Sequence, residues 1–233
     1  FGVHNPDVLT AIHNKYVDAG SDVIYANTFG INDRVADKLG ITQKQGIEIA
    51  IGAALAAKER AKNELGREVY VALDMGPRGA LLEPMGTVTF EEAYDMYTRI
   101  VNAARDKVDL AVIETMTDLY EVKAAVLAVK ENSDLPVMVS MSFEEGGRTF
   151  TGTSIEAMAI TLEGLGVDAM GINCSLGPDE ILPMIKEMKS YTHLPVFAKP
   201  NAGLPNPVTG DYAMDADSFA ESMKGYIEGG INI

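Results

Sequence analysis

The chain has 233 residues, and its 19 lysines and arginines against 34 aspartates and glutamates give a formal net charge of −15. This acidic excess argues against a nucleic-acid binder or a polybasic membrane binder, and a hydrophobic fraction of 47% is typical of a folded globular core. The chain has a single cysteine, Cys174, which excludes an intrachain disulfide and favours a reducing, cytoplasmic location. No apolar run reaches the ~20 residues that a membrane-spanning helix needs.

The predicted elements alternate between helices and strands along the chain. The first is a helix that begins at Asn5-Pro6 and ends before Gly20. Its apolar stripe consists of Leu9, Ile12, Tyr16 and Val17, and His13 can face either the core or the surface. The predicted strands, in chain order, are 22–28, 69–74, 110–114, 136–142, 168–174, 195–200 and 231–233. Most of them are almost continuously apolar, which is typical of strands buried on both faces of a parallel sheet.

Helices are predicted between these strands from their start and stop signals. The stretch 43–65 is rich in strong helix formers and ends before Gly66. The other start signals are Thr89 with Glu92, Thr153 with Glu156, Asp118 and Asp217. Pro183 is placed in the first turn of its helix, where a missing N–H costs little.

This alternation of strand and helix predicts an α/β fold, a (β/α)₈ barrel that comprises residues 1–233 as one domain. Seven predicted strands are one short of eight, and we expect the first strand to precede Phe1, so that the chain is a fragment of the barrel. An open doubly wound sheet is the alternative, although no glycine-rich turn of the G-x-G-x-x-G type follows a strand.

Polar residues end most of the predicted strands, and in a parallel barrel the active site lies at those ends. They are Asn27-Thr28, Asp74, Glu114-Thr115, Ser142, Asn173-Cys174-Ser175 and 199–201. Cys174 can be a nucleophile, a metal ligand or a small apolar filler. A nucleophilic cysteine needs a histidine base, and no histidine of this chain follows a strand. The sequence therefore favours a metal ligand or a filler.

Six segments carry a resemblance to a known family. They are ANTFG at 26–30, DMGPRGALLEPMGTVTFEEAYDMY at 74–97, IETMTDLYEVKAAVLA at 113–128, SFEEGGRTFTGT at 142–153, GINCSLGPDEILP at 171–183 and KPNAGLP at 199–205. In this order the segments resemble the homocysteine S-methyltransferase family, and in particular the homocysteine-binding module of cobalamin-dependent methionine synthases. The resemblance implies a (β/α)₈ barrel that catalyses zinc-dependent methyl transfer to the thiol of L-homocysteine.

The resemblance also implies a metal site of three cysteines around a zinc ion. Cys174 matches the cysteine of the G-x-N-C segment, and the other two are expected in a Gly-Gly-Cys-Cys-Gly turn beyond Ile233. With one ligand of three, residues 1–233 by themselves are not expected to hold zinc tightly or to be active. Glu114 resembles the glutamate that binds the amino group of homocysteine, and Asn201 resembles an asparagine near the zinc. Asn27, Thr28 and Asp74 are weaker substrate-site predictions.

The methyl donor implied by the resemblance is methylcobalamin, loaded from methyltetrahydrofolate, with both cofactors carried by other modules of a longer protein. A donor such as S-methylmethionine or betaine is the alternative within the family. A different chemistry is a Schiff-base lyase or aldolase that uses Lys199, since that lysine ends a strand. A third possibility is that the chain is a scaffold without activity.

Overall fold

The structure is a computed structural model that describes residues 2–31, 33–206, 208–212 and 214–231. Its strands are β1 (Val23–Tyr25), β2 (Tyr70–Met75), β3 (Leu110–Met116), β4 (Val137–Met141), β5 (Ala169–Asn173) and β6 (Val196–Lys199). Its helices are α1 (Pro6–Asp18), α2 (Asp33–Leu39), α3 (Gln43–Leu65), α4 (Phe90–Ala104), α5 (Leu119–Asn132), α6 (Ile155–Gly164), α7 (Pro178–Lys189) and α8 (Ala216–Glu228). The predicted last strand lies mainly outside the described residues, and Ile231, its one described member, has no regular structure.

The strands form one parallel sheet in the order β1-β2-β3-β4-β5-β6. Each strand therefore neighbours the next strand along the chain, and at least one helix lies between consecutive strands in the sequence. A doubly wound sheet reverses its order at a switch point, and this sheet has no reversal among its described strands. The predicted (β/α)₈ barrel type is therefore confirmed, and the doubly wound alternative is wrong. As expected for strands covered on both faces, every residue of β4 and β5 is buried.

The contacts divide the chain into two compact units. The first unit contains Phe1–Ile113 and Ala124–Val137, and the second contains Glu114–Lys123 and Met138–Ile233. In the first unit α3 packs against α1 and α4, and in the second α7 packs against α6, α8 and β6. The predicted single domain stays a prediction.

The strongest local signals of the sequence form the helix ends that they predict. Thr89 accepts a hydrogen bond from the Glu92 N–H while the Glu92 carboxylate accepts one from the Thr89 N–H, which completes the predicted capping box of α4. Gly66 ends α3 in the left-handed conformation, as a C-terminal glycine does. No helix among the described residues is both long enough and apolar enough to cross a membrane.

Two predicted helix starts are wrong by one or two residues. The N-cap of α6 is Ser154 rather than Thr153, because the Ser154 hydroxyl accepts the N–H of Ala157. The N-cap of α8 is Asp215 rather than Asp217, because its carboxylate accepts the N–H of the residue three positions on. At each helix start, two neighbouring polar residues have side chains that can accept a hydrogen bond from a free N–H of the first turn. The residue whose side chain accepts that bond in the structure is the N-cap.

The predicted position of Pro183 is also wrong. Gly177 is the N-cap of α7 and Pro178 is its first residue, so Pro183 lies inside the helix rather than in its first turn. A proline at this position removes one hydrogen bond, to the carbonyl four residues earlier. The helix continues to Lys189 despite this loss, with four apolar residues of α7 buried after Pro178: Ile181, Met184, Ile185 and Met188.

The buried face of α1 differs from the predicted apolar stripe. Leu9, His13 and Val17, spaced four residues apart, are buried, whereas Ile12 and Tyr16 are 42% and 61% exposed. The His13 Nε2 atom is buried without a hydrogen-bond partner among the described residues. Desolvation by this burial lowers the pKa of His13 below its ordinary value of 6.5.

This buried histidine predicts a pH-dependent loss of stability. Below about pH 6.5 the unfolded chain binds a proton at His13 that the folded chain does not, so the free energy of unfolding falls as the pH falls. We expect His13→Leu to lessen this decline between about pH 6.5 and pH 5 in urea unfolding experiments. The control is Ile12→Leu on the exposed side of the same helix, since this change removes no titratable group and should keep the wild-type slope. Equal slopes for all three proteins would contradict the prediction.

Candidate functional site

Cys174 follows β5 at a point where the backbone takes an unusual conformation. Thr115, Cys174 and Ser175 have φ angles of 60°, 59° and 62°, and they are the non-glycine residues with positive φ in the described part of the chain. Such conformations are costly, most of all for a β-branched residue, and they concentrate at functional sites. Cys174 is half-buried and is therefore not an apolar filler enclosed in the core.

A glycine in β5 brings the next strand close to this turn. A Cβ atom on Gly171 would lie 2.2 Å from the carbonyl oxygen of Phe197, so only glycine fits here without movement of β6. The register that follows pairs Gly171 with Phe197 and Asn173 with Lys199. The Cys174 N–H then donates to the Lys199 carbonyl at 3.2 Å. The glycine of the G-x-N-C segment thus sets Lys199 beside Cys174.

Asn173 holds the cysteine sulfur through a carboxamide that uses all of its hydrogen-bonding capacity. Its Oδ1 accepts from the Thr115 N–H at 3.0 Å and from the Ser140 hydroxyl at 2.8 Å. Its Nδ2 donates to Thr115 Oγ1 at 2.8 Å and to Cys174 Sγ at 3.3 Å. Asn173 is only 2% exposed, so water does not compete for these bonds. We call Asn173, Thr115 and Ser140 the asparagine clamp.

Ser142 adds a backbone connection around the clamp. Its hydroxyl donates to the Asn173 carbonyl at 2.9 Å, and its N–H donates to the Met116 carbonyl at 2.9 Å. The ends of β3 and β5 are therefore both bonded to the residue that follows β4. This arrangement explains how Thr115 and Cys174, which are far apart in sequence, come to lie with Oγ1 and Sγ 3.8 Å apart.

A pair of opposite charges lies beside the clamp. The Lys199 ammonium forms an ion pair and hydrogen bond with Glu114 Oε2. The Glu114 side chain is 14% exposed and the Lys199 side chain 40% exposed. A carboxylate that is mostly removed from water needs such a partner. On the other side of Cys174, the Asn201 N–H donates to the Leu176 carbonyl at 3.0 Å, and Asn201 is half-buried.

The second unit thus brings together three of the predicted site residues, Glu114, Cys174 and Asn201. The other three lie in the first unit. There the Thr28 hydroxyl donates to the Asp74 carbonyl at 2.7 Å and accepts from the Asp74 N–H at 3.0 Å, which joins the chain after β1 to β2. Thr28 and Asp74 are buried, whereas Asn27 is exposed. The functional roles of all six residues stay predictions.

The described residues supply one metal ligand of the kind that the resemblance implies. Cys174 is a half-buried residue with a soft sulfur donor. Among the residues that the structure describes, however, no group of three or more histidine, cysteine or acidic residues is arranged to hold a metal ion. A tetrahedral zinc site needs at least three protein ligands. The described residues therefore do not complete a zinc site by themselves.

The asparagine clamp and the ion pair of Lys199 with Glu114 are features that sequence reasoning missed. Thr115 and Asn173 stand out in the sequence as polar residues at strand ends, but nothing in their spacing indicates that they bond to each other. Ser140 lies inside an apolar strand, and a buried serine there is the signal that could have been used. Pairing across strands is a property of register, which the sequence does not show.

The chain is similar to curated proteins and to solved structures. It is 34% identical over 241 residues to the methionine synthases of Mycobacterium leprae and of Mycobacterium tuberculosis, and each alignment covers 95% of this chain and 19% of the relative. The chain thus spans about a fifth of the length of these relatives. Two crystal structures of the homocysteine methyltransferase MmuM from Escherichia coli share its fold. The oxidized form has a TM-score of 0.81 and 20% sequence identity, and the match covers 99% of this chain and 79% of that chain. The metallated form has a TM-score of 0.77 and 22% sequence identity, and the match covers 85% of this chain and 73% of that chain.

A family model that covers the whole chain agrees with these similarities. The model is that of homocysteine S-methyltransferase, and it matches residues 1–233. The match confirms the family that the six segments predict. The order of the strands is what the resemblance implies for a member. The chain therefore belongs to the homocysteine S-methyltransferase family.

Proposed function

We propose that the intact protein transfers a methyl group to the thiol of L-homocysteine and so produces methionine, with zinc bound at Cys174. The single observation that carries this proposal is the position of Cys174 in a chain of this family: it follows β5, is half-buried, accepts a hydrogen bond from Asn173 at its sulfur and donates its N–H to the Lys199 carbonyl. A reducing cytoplasm would keep the Cys174 side chain a thiol.

Cys174 would supply one thiolate of a zinc site whose other two cysteines we expect beyond Ile233. When bound, zinc keeps a coordinated thiol deprotonated at neutral pH, which makes its sulfur a nucleophile. The chain's own part is to hold Cys174 Sγ in place. Asn173 does this with the N–H that it donates to the sulfur, and Thr115 packs against the same atom. A fixed ligand orients whatever the metal carries, as outer partners of metal ligands do.

Glu114 would bind the amino group of homocysteine and Asn201 would lie near the metal. A carboxylate that accepts from an ammonium forms a charge-assisted hydrogen bond, which is among the strongest oriented contacts of a protein. Glu114 pairs with Lys199, whose backbone carbonyl accepts the Cys174 N–H, and a substrate held at Glu114 is proposed to keep its sulfur near Cys174. Holding the reacting sulfur in one place lowers the entropic part of the barrier.

The methyl donor is proposed to be methylcobalamin that methyltetrahydrofolate reloads, both on other modules. The support is that the relatives are methionine synthases and that the chain spans only 19% of their length, which leaves room for cobalamin-carrying and folate-binding modules. S-methylmethionine or betaine is the alternative donor, and MmuM, of similar fold, is a homocysteine methyltransferase.

A Schiff-base reaction at Lys199 is a weaker candidate. The Lys199 ammonium is paired with Glu114, and an ammonium has no free lone pair with which to attack a carbonyl carbon. Family membership also favours methyl transfer over aldol chemistry. The match to a family of methyltransferases over residues 1–233 also argues against the hypothesis that the chain is a scaffold without activity.

An assay with several donors tests the proposed function. The intact protein is incubated with L-homocysteine and, in separate reactions, with methylcobalamin, S-methylmethionine and betaine, and methionine is measured by mass spectrometry. We expect methionine with methylcobalamin and a loss of activity after zinc is chelated, with recovery when zinc is returned. Methionine with one of the other donors instead would select the alternative. No methionine with any donor would overturn the proposed function.

A further inference from the structure

Two hydrogen-bond donors are directed at the sulfur of Cys174. Asn173 Nδ2 donates to Cys174 Sγ at 3.3 Å, and Thr115 Oγ1 lies 3.8 Å from the same atom. In the second contact either atom can be the donor while Cys174 is a thiol. A thiolate has no hydrogen to donate, so the Thr115 hydroxyl is the donor once Cys174 is deprotonated. The sulfur of a deprotonated Cys174 therefore accepts two hydrogen bonds.

Asn173 also orients the Thr115 hydroxyl. Its Nδ2 carries two hydrogens, of which one is donated to Thr115 Oγ1 at 2.8 Å and the other to Cys174 Sγ. Because Oγ1 accepts from the amide, its own hydrogen is free to point at the sulfur. Nδ2, Oγ1 and Sγ thus form a closed ring of hydrogen bonds, and bonds that are linked in this way polarise and strengthen one another. We call these three atoms the sulfur ring.

Thr115 takes part in the sulfur ring at a cost to its backbone. Its φ of 60° is unfavourable for a β-branched residue. This conformation lets its N–H donate to Asn173 Oδ1 at 3.0 Å while its hydroxyl meets Nδ2. A glycine would adopt the same φ without strain, but it has no hydroxyl. The side chain at position 115 therefore has a use that the backbone turn alone does not explain.

A methyl donor close to Cys174 can react with either of two sulfur atoms. The proposed product forms when the substrate sulfur attacks the methyl carbon. A deprotonated Cys174 can attack the same carbon, since a thiolate is a nucleophile. Its lone pair then forms the S–C bond while the bond between the methyl group and its donor breaks, and the donor keeps that electron pair. The thioether that results has lost the negative charge of a metal-binding thiolate, so this side reaction would inactivate the site.

We propose that Asn173 and Thr115 protect Cys174 from methylation, an inference that rests on the proposed function. A lone pair that accepts a hydrogen bond is less available for attack on carbon, and hydrogen bonds to a charged acceptor are the stronger ones. Both hydrogens of Asn173 Nδ2 are used within the sulfur ring, so Nδ2 has none left for a substrate sulfur. The ring thus lowers the reactivity of the Cys174 sulfur alone and directs the methyl group to the substrate.

Four side chains at position 115 separate the effect of the hydroxyl from that of size. Threonine and valine have the same shape, serine and alanine are the smaller pair, and only the first member of each pair has a hydroxyl. The intact wild-type protein and its Thr115→Val, Thr115→Ser and Thr115→Ala variants are loaded with zinc and treated with iodomethane, a small neutral methyl donor. Peptide mass spectrometry follows S-methylation of Cys174, and measured zinc content ensures comparison at equal metal occupancy.

We expect Thr115→Val to raise the rate of Cys174 methylation by about three- to tenfold over wild type, the fold-change that one lost hydrogen bond produces. Thr115→Ala should exceed Thr115→Ser by a similar factor. During repeated turnover of homocysteine, the valine and alanine variants should lose activity as S-methylcysteine accumulates at position 174, whereas wild type and the serine variant should not. A purely structural role of Thr115 would change stability without dividing the four proteins by their hydroxyl group.

Equal or slower methylation of Cys174 in the member of each pair that lacks the hydroxyl would overturn the inference. Should Thr115→Val not fold, the serine and alanine variants carry the test, since neither side chain is β-branched and both reduce the strain at this φ. A wild-type protein that makes no methionine from homocysteine would instead contradict the proposed function, so the two failures are distinguishable.

Discussion

Replacing Cys174 with alanine is expected to remove most of the zinc from the intact protein and to abolish methyl transfer to homocysteine. The loss should exceed the roughly 10–100-fold that removal of an outer partner of a metal ligand costs, because Cys174 would be a ligand itself. Cys174→Ala leaves the backbone turn in place and removes only the sulfur. Zinc content by atomic emission and methionine formation by mass spectrometry measure the two effects in the same preparations.

Ser175→Ala is the matched control for this experiment. Ser175 is the next residue, has nearly the same positive φ and is equally half-buried. The Ser175→Ala substitution tests whether any change in the positive-φ turn that contains Cys174 and Ser175 reduces activity. We expect Ser175→Ala to keep its zinc and most of its activity. Unchanged zinc in Cys174→Ala would show that the metal is held elsewhere and would discard Cys174 as a ligand.

Replacing Asn173 with alanine is expected to lower the free energy of unfolding by about 2–4 kcal/mol. The change leaves the Thr115 N–H and the Ser140 hydroxyl in a buried place without their acceptor, and it opens a small cavity. Each buried polar group that loses its partner costs about 1–3 kcal/mol, although the Ser140 hydroxyl can rotate to a new acceptor. Urea unfolding followed by circular dichroism measures the loss.

Asn63→Ala provides the control for the asparagine substitution. Asn63 is exposed on α3, so the same chemical change should alter the free energy of unfolding by less than about 0.5 kcal/mol. The clamp also predicts an effect beyond stability, because Cys174 Sγ loses its N–H donor. An Asn173→Ala protein as stable as Asn63→Ala would show that the clamp contributes little to the fold.

The order of helices and strands could be predicted from the sequence because its signals are local. Continuous apolar strands, the capping box at Thr89 and Glu92, and the glycine after α3 each act within a few residues. The errors are local too. The sequence does not identify Ser154 and Asp215 as the N-caps, because several neighbouring side chains can cap, and it does not decide whether His13 is buried, because α1 is apolar on more than one side.

Of the candidate site, the sequence by itself determined which residues end the strands and, through the six family segments, that Cys174 matches a metal ligand. It did not show that Asn173 uses every hydrogen bond of its carboxamide or that Lys199 pairs with Glu114. Those contacts join residues on different strands. Their geometry follows from the register of β5 against β6 and from the close approach at Gly171, and both come into being only when the sheet assembles.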